Sequence, residues 1–421
     1  MVSSPAPTSN ADGAISPASA SDMATDRRSG LSFGRARALT VEVATTAKRL
    51  AALKPEYDHL NVVCRNTLPF ALHEWHAVWW DHLAKTAGAV RDELRIHVVR
   101  DDHGECVAIV PLVSTRREVG YFRTESLSLL GADPNFTELR FPLVAPRHEK
   151  AVADAVSRSL ATEGDWDWVQ WSGIQGPFGE ALGATTSLAW QPPALDYVLD
   201  LAPTWDGFRG GLKRNIRESL RHCYNSLKRD GLSFELEVAQ APDAVRNALH
   251  TFFSLHVMRA GLTRTVTHPD RFPSETSRRF LYEVCDRLAA RGVVRVFILK
   301  IRGCVVAVRI AFVVGEHLYL YYSGFDPRWA KYSVSTTIVA EALKYAIEQG
   351  LTGANLSTGT DVSKTRWGAR LVPYQEAIQT RPRVRSRVTY AAYRRLLGGQ
   401  SLEPNSWLSA VRRRLPVRTW A

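Results

Sequence analysis

The residues best suited to bind a phosphate group lie between positions 317 and 337 of the 421-residue chain. An aromatic, apolar run over 317–325 has the pattern of a buried strand, and a short loop carrying Arg328 and Lys331 follows it. The next residues, Ser-Val-Ser-Thr-Thr over 333–337, are typical of a helix start. Because the first N–H groups of a helix have no partner within the helix, such a start can hold a phosphate or pyrophosphate. An ordinary serine N-cap is the alternative interpretation.

The motifs of several large enzyme classes are missing from the sequence. It contains none of the spaced patterns of P-loop proteins, HExxH metalloproteases, GxSxG hydrolases or strand-linked GxGxxG proteins. The five cysteines form no Cys-x-x-Cys pair and have no histidine at metal-ligand spacing. We therefore predict no metal site and reduced, buried thiols, with Cys304 in the core of a strand. Cys223 follows His222 on a predicted helix, where adjacent side chains diverge by about 100° and do not form a nucleophile–base pair.

The elements that must position the candidate phosphate site belong to the second half of the chain. Hydrophobic periodicity and turn residues predict strands over 232–238, 293–301, 304–314, 317–325, 353–357 and 373–380, and helices over 242–259, 273–291 and 335–349.

The first half follows the same plan with weaker signals. Helices are predicted over 40–53, 72–87 and 149–163, and strands over 94–99, 105–112, 126–130 and 166–171. In both halves, at 96–113 and 296–313, two strands are joined by a polar turn containing glycine. We interpret the chain as an α/β protein of two tandem copies of one unit, each a mixed central sheet flanked by helices. The junction is predicted near 192–203, and only the second copy has a recognisable site.

The net charge of +12 is concentrated at the C-terminal end of the chain. Residues 381–421 include ten arginines, no lysine and one acidic residue, Glu403, so this segment carries +9 and the first 380 residues only +3. Aromatic residues lie among these arginines, a composition suited to an acidic partner or an anionic membrane face. DNA is not among the predicted partners, because the body of the protein is nearly neutral.

No targeting or membrane-spanning segment is expected. Residues 1–34 are rich in Ser, Ala and Pro and lack the apolar core of a signal peptide, which predicts a disordered tail. The most apolar stretch, 293–314, contains four basic residues and is unsuited to a membrane. The predicted organisation is a tail over 1–34, a first unit over 35–200, a second over 201–380 and a basic segment over 381–421. We expect a soluble, cytoplasmic protein, with a peripheral position at the inner membrane face as the alternative.

Several motifs of the second half together resemble the GNAT acyltransferase superfamily. They are Ser-Gly-Phe-Asp-Pro over 323–327, Ala-Lys-Tyr-Ser over 330–333 and the segment 359–368 that ends in Arg-Trp-Gly. The basic stretch 213–231 resembles a helix of the CelD-like acetyltransferases of bacterial polysaccharide clusters, which are relatives of the Fem-type peptidoglycan transferases. The resemblance covers about residues 60–380. Two segments depart from it: Ser-Val-Ser over 333–335 replaces Ser-Pro-Gly, and Thr-Gly-Thr-Asp-Val-Ser-Lys over 358–364 replaces Arg-Gly-Asp-Glu-Pro-Tyr-Lys.

The resemblance implies acetyl-CoA or another acyl-CoA as co-substrate, lying between two splayed parallel strands at 319–324 and 353–357. The contacts implied for it are Tyr321, Ser323, Lys331, Ser333, Val334, Ser335 and Thr336. Backbone groups at Tyr321 or Tyr322 would orient the thioester carbonyl. The acceptor attacks directly, which requires a base and a proton donor from the protein.

Candidates for these roles follow from residue type and position. Asp361 and Asp326 are the candidate bases, and Tyr322 and Tyr332 the candidate acids. Aromatic packing is the alternative for each tyrosine, and turn formation is the alternative for Asp326. The candidate contacts to the acceptor are Lys364, Arg366, Trp367 and Arg217.

The sequence thus favours an acyl-CoA-dependent N- or O-acyltransferase, most simply an acetyltransferase. The acceptor would be a sugar, a nucleotide-sugar or a cell-envelope or exopolysaccharide precursor. One alternative is a Fem-like transferase that uses aminoacyl-tRNA, and another is a non-catalytic GNAT-fold scaffold in polysaccharide synthesis. The acceptor, the acyl chain length and the oligomeric state stay open.

Overall fold

A single mixed β-sheet is the central feature of the computed structural model, which describes residues 39–119, 122–133, 136–164, 166–262, 269–359 and 362–397. The strands of the first half are β1 (Thr40–Ala44), β2 (Val90–Arg100), β3 (Cys106–Val119), β4 (Phe122–Leu129), β5 (Leu143–Val144) and β6 (Trp168–Ser172). Its helices are α1 (Ala47–Ala52), α2 (Lys54–Val63), α3 (His73–Leu83), α4 (Glu149–Thr162) and α5 (Gly176–Thr185).

The second half continues the same sheet. Strand β7 (Leu188–Asp200) ends the first half. The strands of the second half are β8 (Phe234–Ala239), β9 (Val294–Ile301), β10 (Cys304–Val314), β11 (His317–Phe325), β12 (Gly353–Thr358) and β13 (Arg370–Thr380). Its helices are α6 (Trp205–Gly211), α7 (Arg214–Arg229), α8 (Pro242–Ala260), α9 (Glu275–Ala290), α10 (Val334–Glu348), α11 (Val362–Thr365) and α12 (Val384–Leu397). This α/β architecture, a large mixed sheet flanked by helices, confirms the predicted fold class.

The order of the strands shows an internal symmetry. Across the sheet they run β1-β2-β3-β4-β6-β13-β7-β12-β11-β10-β9-β8, with β5 beside β3. The two ends of this order mirror each other, so β4 and β6 correspond to β11 and β12. The two central strands are exchanged, because β13 from the second half lies beside β6 and β7 from the end of the first half lies beside β12. The sheet of each half is therefore completed by a strand that the other half contributes.

Two hydrophobic cores hold the layers together. The larger core is shared by both halves, and at its centre the Trp75 ring lies 5.6 Å from Phe280 and 5.9 Å from Phe312. The smaller core joins α7 and α10 to the opposite face of β9–β12. None of the described helices is both long enough and apolar enough to cross a membrane.

Three local predictions need correction. The helix predicted over 40–53 is wrong in its first part, where alternating β-branched residues form β1 and pair with β2. Cys304 is exposed instead of buried, because it directly follows the tight turn Arg302–Gly303 at the tip of the β9–β10 hairpin. The predicted junction begins inside β7: Pro192 and Pro193 lie at a bulge in the β7–β13 pairing, where strands tolerate residues that lack an N–H.

The basic segment after residue 380 is structured in its first part. Helix α12 packs on β6, with the ring of Tyr393 4.7 Å from that of Trp168 and the Ser386 hydroxyl donating to Asp167 at 3.0 Å. The predicted tail over 1–34 and the remaining basic residues, 398–421, lie outside the described residues.

Candidate functional site

Strands β11 and β12 separate in the middle of the second half. They pair in parallel only from His317–Gly353 to Tyr319–Asn355, and the described residues show no β11–β12 pairing beyond this point. The remaining part of β11 stays bonded to β10. A wedge-shaped gap, which we call the strand gap, therefore opens between residues 320–325 and 356–358, where the family resemblance implies two splayed strands.

A β-bulge distorts β11 at the edge of the strand gap. Arg309 of β10 is opposite Ser323 and Ala311 is opposite Leu320, so Tyr321 and Tyr322 together face a single residue of β10. The Arg309 guanidinium donates to the Tyr321 carbonyl at 3.3 Å and to the Ser323 hydroxyl at 3.1 Å. A bulge turns backbone groups out of the regular ladder, and here it does so beside the strand gap.

A second bulge distorts β12 on the other side of the gap. Asn355 pairs with Val198 and Thr358 with Asp196, so two residues of β12 face one residue of β7. Ser357 has a φ of 70°, a left-handed conformation that is uncommon for a residue with a side chain. The Asn355 side-chain oxygen holds this bend by accepting the Ser357 N–H at 2.7 Å. Such held strain is concentrated at functional sites.

Helix α10 begins after the short loop that follows the C-terminal end of β11, as the sequence predicted. Ser333 precedes the helix with left-handed angles (φ 54°, ψ 38°), and its hydroxyl makes no capping bond to any described residue. The first backbone hydrogen bond of the helix runs from the Thr336 N–H to the Ser333 carbonyl at 2.8 Å. The N–H groups of Val334 and Ser335 come before this bond, at the N-terminal end of the helix. The serine N-cap alternative is therefore not what this helix uses.

Arg366 reaches the same helix start. Its guanidinium donates to the Thr336 hydroxyl at 2.7 Å. From its sequence position Arg366 is a predicted contact to the acceptor. In the structure it lies instead at the start of α10, where the phosphate site is predicted. Val334 and Thr336 are buried there and Ser335 is exposed.

Lys331 and Tyr332 lie on the α7 side of the same loop. The Tyr332 hydroxyl donates to Asp230 at 2.8 Å, and the Lys331 ammonium lies 3.4 Å from the same carboxylate. Tyr332 is buried among apolar residues and faces the end of α7. In this structure the two residues make a local polar cluster with Asp230.

Asp326 is bound within its own turn. Its carboxylate accepts the Arg328 N–H at 3.0 Å and forms an ion pair with the Arg328 guanidinium at 2.7 Å. The hydrogen bonds from Arg328 hold the pKa of Asp326 below its ordinary value. This arrangement is the turn-forming alternative considered for Asp326.

Tyr322 is half-buried at the bulge and packs edge-on against His256 and Phe272. Burial raises the pKa of its phenol, so the hydroxyl stays protonated as a hydrogen-bond donor. Asp361, the other candidate base, lies outside the described residues.

A buried carboxylate that the sequence analysis missed lies beside the strand gap. Asp196 of β7 is fully buried, and the Asn355 side-chain amide donates to it at 2.5 Å. Burial raises the pKa of Asp196 to about 6, against the opposing effects of the Asn355 hydrogen bond and the charge of Lys364. A carboxyl that titrates near neutral pH can serve as a general base. No local signal marks Asp196, because its partner Asn355 lies 159 residues away in sequence.

The first half contributes a loop to the same place. The Tyr319 hydroxyl donates to the carboxylate of Glu138, and the Tyr321 hydroxyl donates to the Phe136 carbonyl at 2.7 Å. These contacts join residues more than 180 positions apart and had no signal in the sequence. The strand gap is therefore built from both halves of the chain.

The three remaining predicted contacts to the acceptor, Lys364, Trp367 and Arg217, lie in different parts of the structure. The Lys364 ammonium lies 3.3 Å from the Ser357 hydroxyl and also donates to the Thr358 carbonyl, so it lies beside the strand gap. Trp367 is buried in the smaller core, and Arg217 is exposed on α7. Cys223 is also buried, and burial raises the pKa of its thiol. The described residues hold no group of three or more His, Cys, Asp or Glu side chains that could bind a metal ion.

Comparison with known proteins supports the fold. Residues 214–375 match a family described as an acetyltransferase (GNAT) domain. The crystal structure of FemX is similar over 76% of this chain and 95% of its own, with 12% identity and a TM-score of 0.52. No curated protein matches the chain.

Two other structures show weaker likenesses. The C-terminal domain of a putative lysylphosphatidylglycerol synthetase from Agrobacterium fabrum has 13% identity, with 82% of this chain and 95% of that chain covered and a TM-score of 0.46. A tandem GNAT protein from the clavulanic acid biosynthesis pathway has 13% identity, covers 81% and 98%, and has a TM-score of 0.41. The matched GNAT domain and the likeness to FemX together show an acyltransferase fold of the GNAT type.

Proposed function

We propose that this protein is an acyl-CoA-dependent N- or O-acyltransferase, with acetyl as the simplest acyl group. Its acceptor is a sugar, a nucleotide-sugar or a cell-envelope or exopolysaccharide precursor, as in the CelD-like branch that the sequence resembles. The observation that carries the proposal is the strand gap, with one bulge in each of the two strands that separate.

The strand gap and the start of α10 fit an acyl-CoA. The backbone of β11 beyond Tyr319 is free of β12 and suits the extended, amide-containing arm of such a molecule. The N–H groups of Val334 and Ser335 and the guanidinium of Arg366 suit its pyrophosphate. When bound, acyl-CoA supplies an activated acyl carbon.

Asp196 is the residue we assign to proton removal from the acceptor. Its pKa of about 6 leaves it mostly ionised at neutral pH and able to accept a proton. The hydrogen bond from Asn355 fixes its carboxylate, and Lys364 provides a nearby positive charge that favours the ionised form. Asp361 remains the second candidate for this role.

Tyr322 is the hydrogen-bond donor that we assign to the leaving group. Its raised pKa keeps the proton on the phenol. Its place in the bulge, next to the Tyr321 carbonyl held by Arg309, puts it at the edge of the strand gap. The acceptor side is polar, with Ser357 of β12, Lys364 of α11 and Glu138 from the first half, and suits a hydroxyl-rich or amino-sugar acceptor.

Fem-like transfer from aminoacyl-tRNA is the second candidate. Two observations favour it: the likeness to FemX, and the exposed basic side chains of α7. Binding of tRNA that weakens steeply between 50 and 200 mM salt, with no binding of acyl-CoA, would support it over the first proposal.

The decisive experiment is calorimetric titration of the full-length protein with acetyl-CoA and with longer acyl-CoA molecules. We expect saturable binding that Ser335→Glu weakens at least about tenfold, because a carboxylate at the helix start repels a pyrophosphate. The matched control is Ser254→Glu on the exposed face of α8, which should bind like the wild type. Failure of every acyl-CoA to bind would overturn the proposal and favour the non-catalytic scaffold.

A further inference from the structure

A pocket lies in the first half of the molecule. Its volume is about 140 Å³, and it is bounded by β2, β3, β4, β6, α3 and α12. We call it the first-half pocket. Its lining includes Trp79, Asp92, Arg117, Asp133, Trp168 and Tyr393.

Arg117 of β3 is the unusual residue of the first-half pocket. Its side chain is only 5% exposed. One terminal nitrogen donates to the Ser126 hydroxyl at 2.9 Å, and the guanidinium lies 5.9 Å from the centre of the Tyr393 ring. Among the described residues, no carboxylate forms an ion pair with it, and its Nε has no hydrogen-bond partner. The neighbouring Arg116 also has an Nε without a partner, but its guanidinium lies 3.6 Å from the Glu125 carboxylate. Since buried arginines are normally paired, the pocket lacks an acceptor that the Arg117 guanidinium can use.

The acidic residues of the pocket are already engaged elsewhere. Asp92 accepts the Thr115 hydroxyl at 2.7 Å and the Lys85 N–H at 2.8 Å. Asp133 accepts the Trp79 indole N–H at 2.8 Å and the backbone N–H of Phe136 at 2.5 Å. Lys85 also lines the pocket and adds a second cation. Neither carboxylate forms an ion pair with Arg117, but both would repel a highly charged ligand. A singly charged anion therefore matches the pocket better than a phosphate dianion.

The walls of the pocket limit the rest of the ligand. Trp79 of α3, Trp168 of β6 and Tyr393 of α12 provide flat apolar surfaces around the guanidinium. A cavity of about 150 Å³ lined by apolar side chains holds a molecule the size of benzene. The first-half pocket, at about 140 Å³, is thus suited to one ring or a short apolar body that carries the charged group.

We propose that the first-half pocket is a binding site for a small organic monocarboxylate with a flat, ring-sized apolar body. The carboxylate forms an ion pair with the guanidinium of Arg117, and the ring packs between Trp79, Trp168 and Tyr393. Phe136 lines the pocket and its carbonyl also accepts the Tyr321 hydroxyl beside the strand gap, so the two sites adjoin. Arg117, which holds the charged group, has no part in the strand gap, so this proposal does not depend on the proposed acyl-CoA binding. Helix α12, near the C-terminal end of the chain, forms one wall of the pocket, and the other walls come from the first half.

The test is calorimetric titration of the full-length protein with benzoate, and with benzamide as an uncharged molecule of the same shape. We expect saturable benzoate binding, at least about tenfold weaker binding of benzamide, and loss of benzoate binding in Arg117→Met. The matched control is Arg116→Met, which removes a neighbouring arginine from the opposite face of β3 and should bind benzoate normally. Acetyl-CoA titrations of the same variants should be unchanged, which separates this proposal from the proposed function.

Thermal unfolding distinguishes a ligand site from a structural arginine. Without ligand, Arg117→Met should unfold at the same temperature as the wild type or higher, because an unpaired buried donor is unfavourable. Benzoate should raise the unfolding temperature of the wild type and not that of the variant. The proposal is overturned if benzoate shows no saturable binding up to about 10 mM, if benzamide binds equally well, or if Arg117→Met and Arg116→Met behave alike.

Discussion

The two halves of the sheet separate their parallel strands in the same way and use the openings differently. In the second half the helix after the opening, α10, has no acidic residue in its first turn, and Arg366 bonds to that turn. In the first half the described residues of β4 and β6 pair only over Ser126–Trp168 to Ser128–Gln170, but α4 starts with Glu149 in its first turn. A negative charge in the first turn disfavours a phosphate at that helix start.

The difference shows how a repeated unit can lose one role and keep its shape. In the first half the loop after β4 is used to support the other half, through Phe136 and Glu138, and α12 packs on Trp168 at the paired end of β4 and β6. The opening in the second half keeps an open edge, and β7 places beside it a buried carboxylate that titrates near neutral pH. We therefore expect substitutions in the second half to change turnover, and substitutions at the shared core to change the stability of both halves.

The largest effect is expected from Asp196→Asn. The variant keeps the bond from Asn355 but cannot accept a proton, so turnover should fall about 10²–10⁴-fold. In the wild type, turnover should rise with pH through about 6, as the carboxyl ionises. Steady-state rates between pH 5 and 8 test both expectations, and the exposed Asp200→Asn on the same strand is the control. Equal rates for Asp196→Asn and wild type would remove Asp196 from the mechanism.

Removing Trp75 tests whether the two halves unfold as one unit. Trp75→Ala should lower the free energy of unfolding by about 3–5 kcal/mol, because it opens a cavity in the core that both halves share. Denaturant unfolding should still show one transition. Trp190→Ala, at a position 51% exposed, should cost less than about 1 kcal/mol. Two separated transitions in the variant would mean that the halves unfold separately.

Asp196→Asn should also stabilise the protein. In the wild type the pKa of Asp196 is raised above its unfolded value, so stability falls as the pH rises from about 4 through 6. The variant avoids this loss and should gain about 2–3 kcal/mol at pH 7, with the gain shrinking towards pH 4. Urea unfolding at several pH values measures it, and a gain that does not vary with pH would contradict the assignment.

The smallest effect is expected at the start of α10. Arg366→Met should weaken acetyl-CoA binding about tenfold, the equivalent of one charge-assisted hydrogen bond. Arg370→Met, which removes an exposed arginine paired with Asp200, should leave the affinity unchanged. Identical affinities for the two variants would place the pyrophosphate elsewhere.

Local patterns in the sequence were enough for most elements of the second half. The turn Arg302–Gly303 has positive φ values at both residues, as a tight hairpin requires, and the strands on either side lie where alternation predicted them. The start of α10 was also predictable, because the residues that follow β11 carry a helix-start signal of their own.

The carboxylates of the candidate site were not predictable in the same way. Asp196 and Glu138 gain their significance from Asn355 and Tyr319, which lie far away in sequence and meet them only when the sheet has formed. The prolines at 192 and 193 favour a junction between the two units when only the sequence is considered. The bulge that accommodates them in β7 depends on the partner strand β13. Short strands such as β1 were also missed, since five residues hold too little periodicity to exclude a helix.

The exchange of β7 and β13 sets the order in which the protein can fold during synthesis. Strand β6 has no partner on its inner side until residues 370–380 have left the ribosome, nearly two hundred residues later. The first half must therefore wait with an exposed sheet edge, the kind of surface that pairs with other chains. Translation that stops before residue 370 releases a chain in which β6 and β7 each keep an unpaired edge.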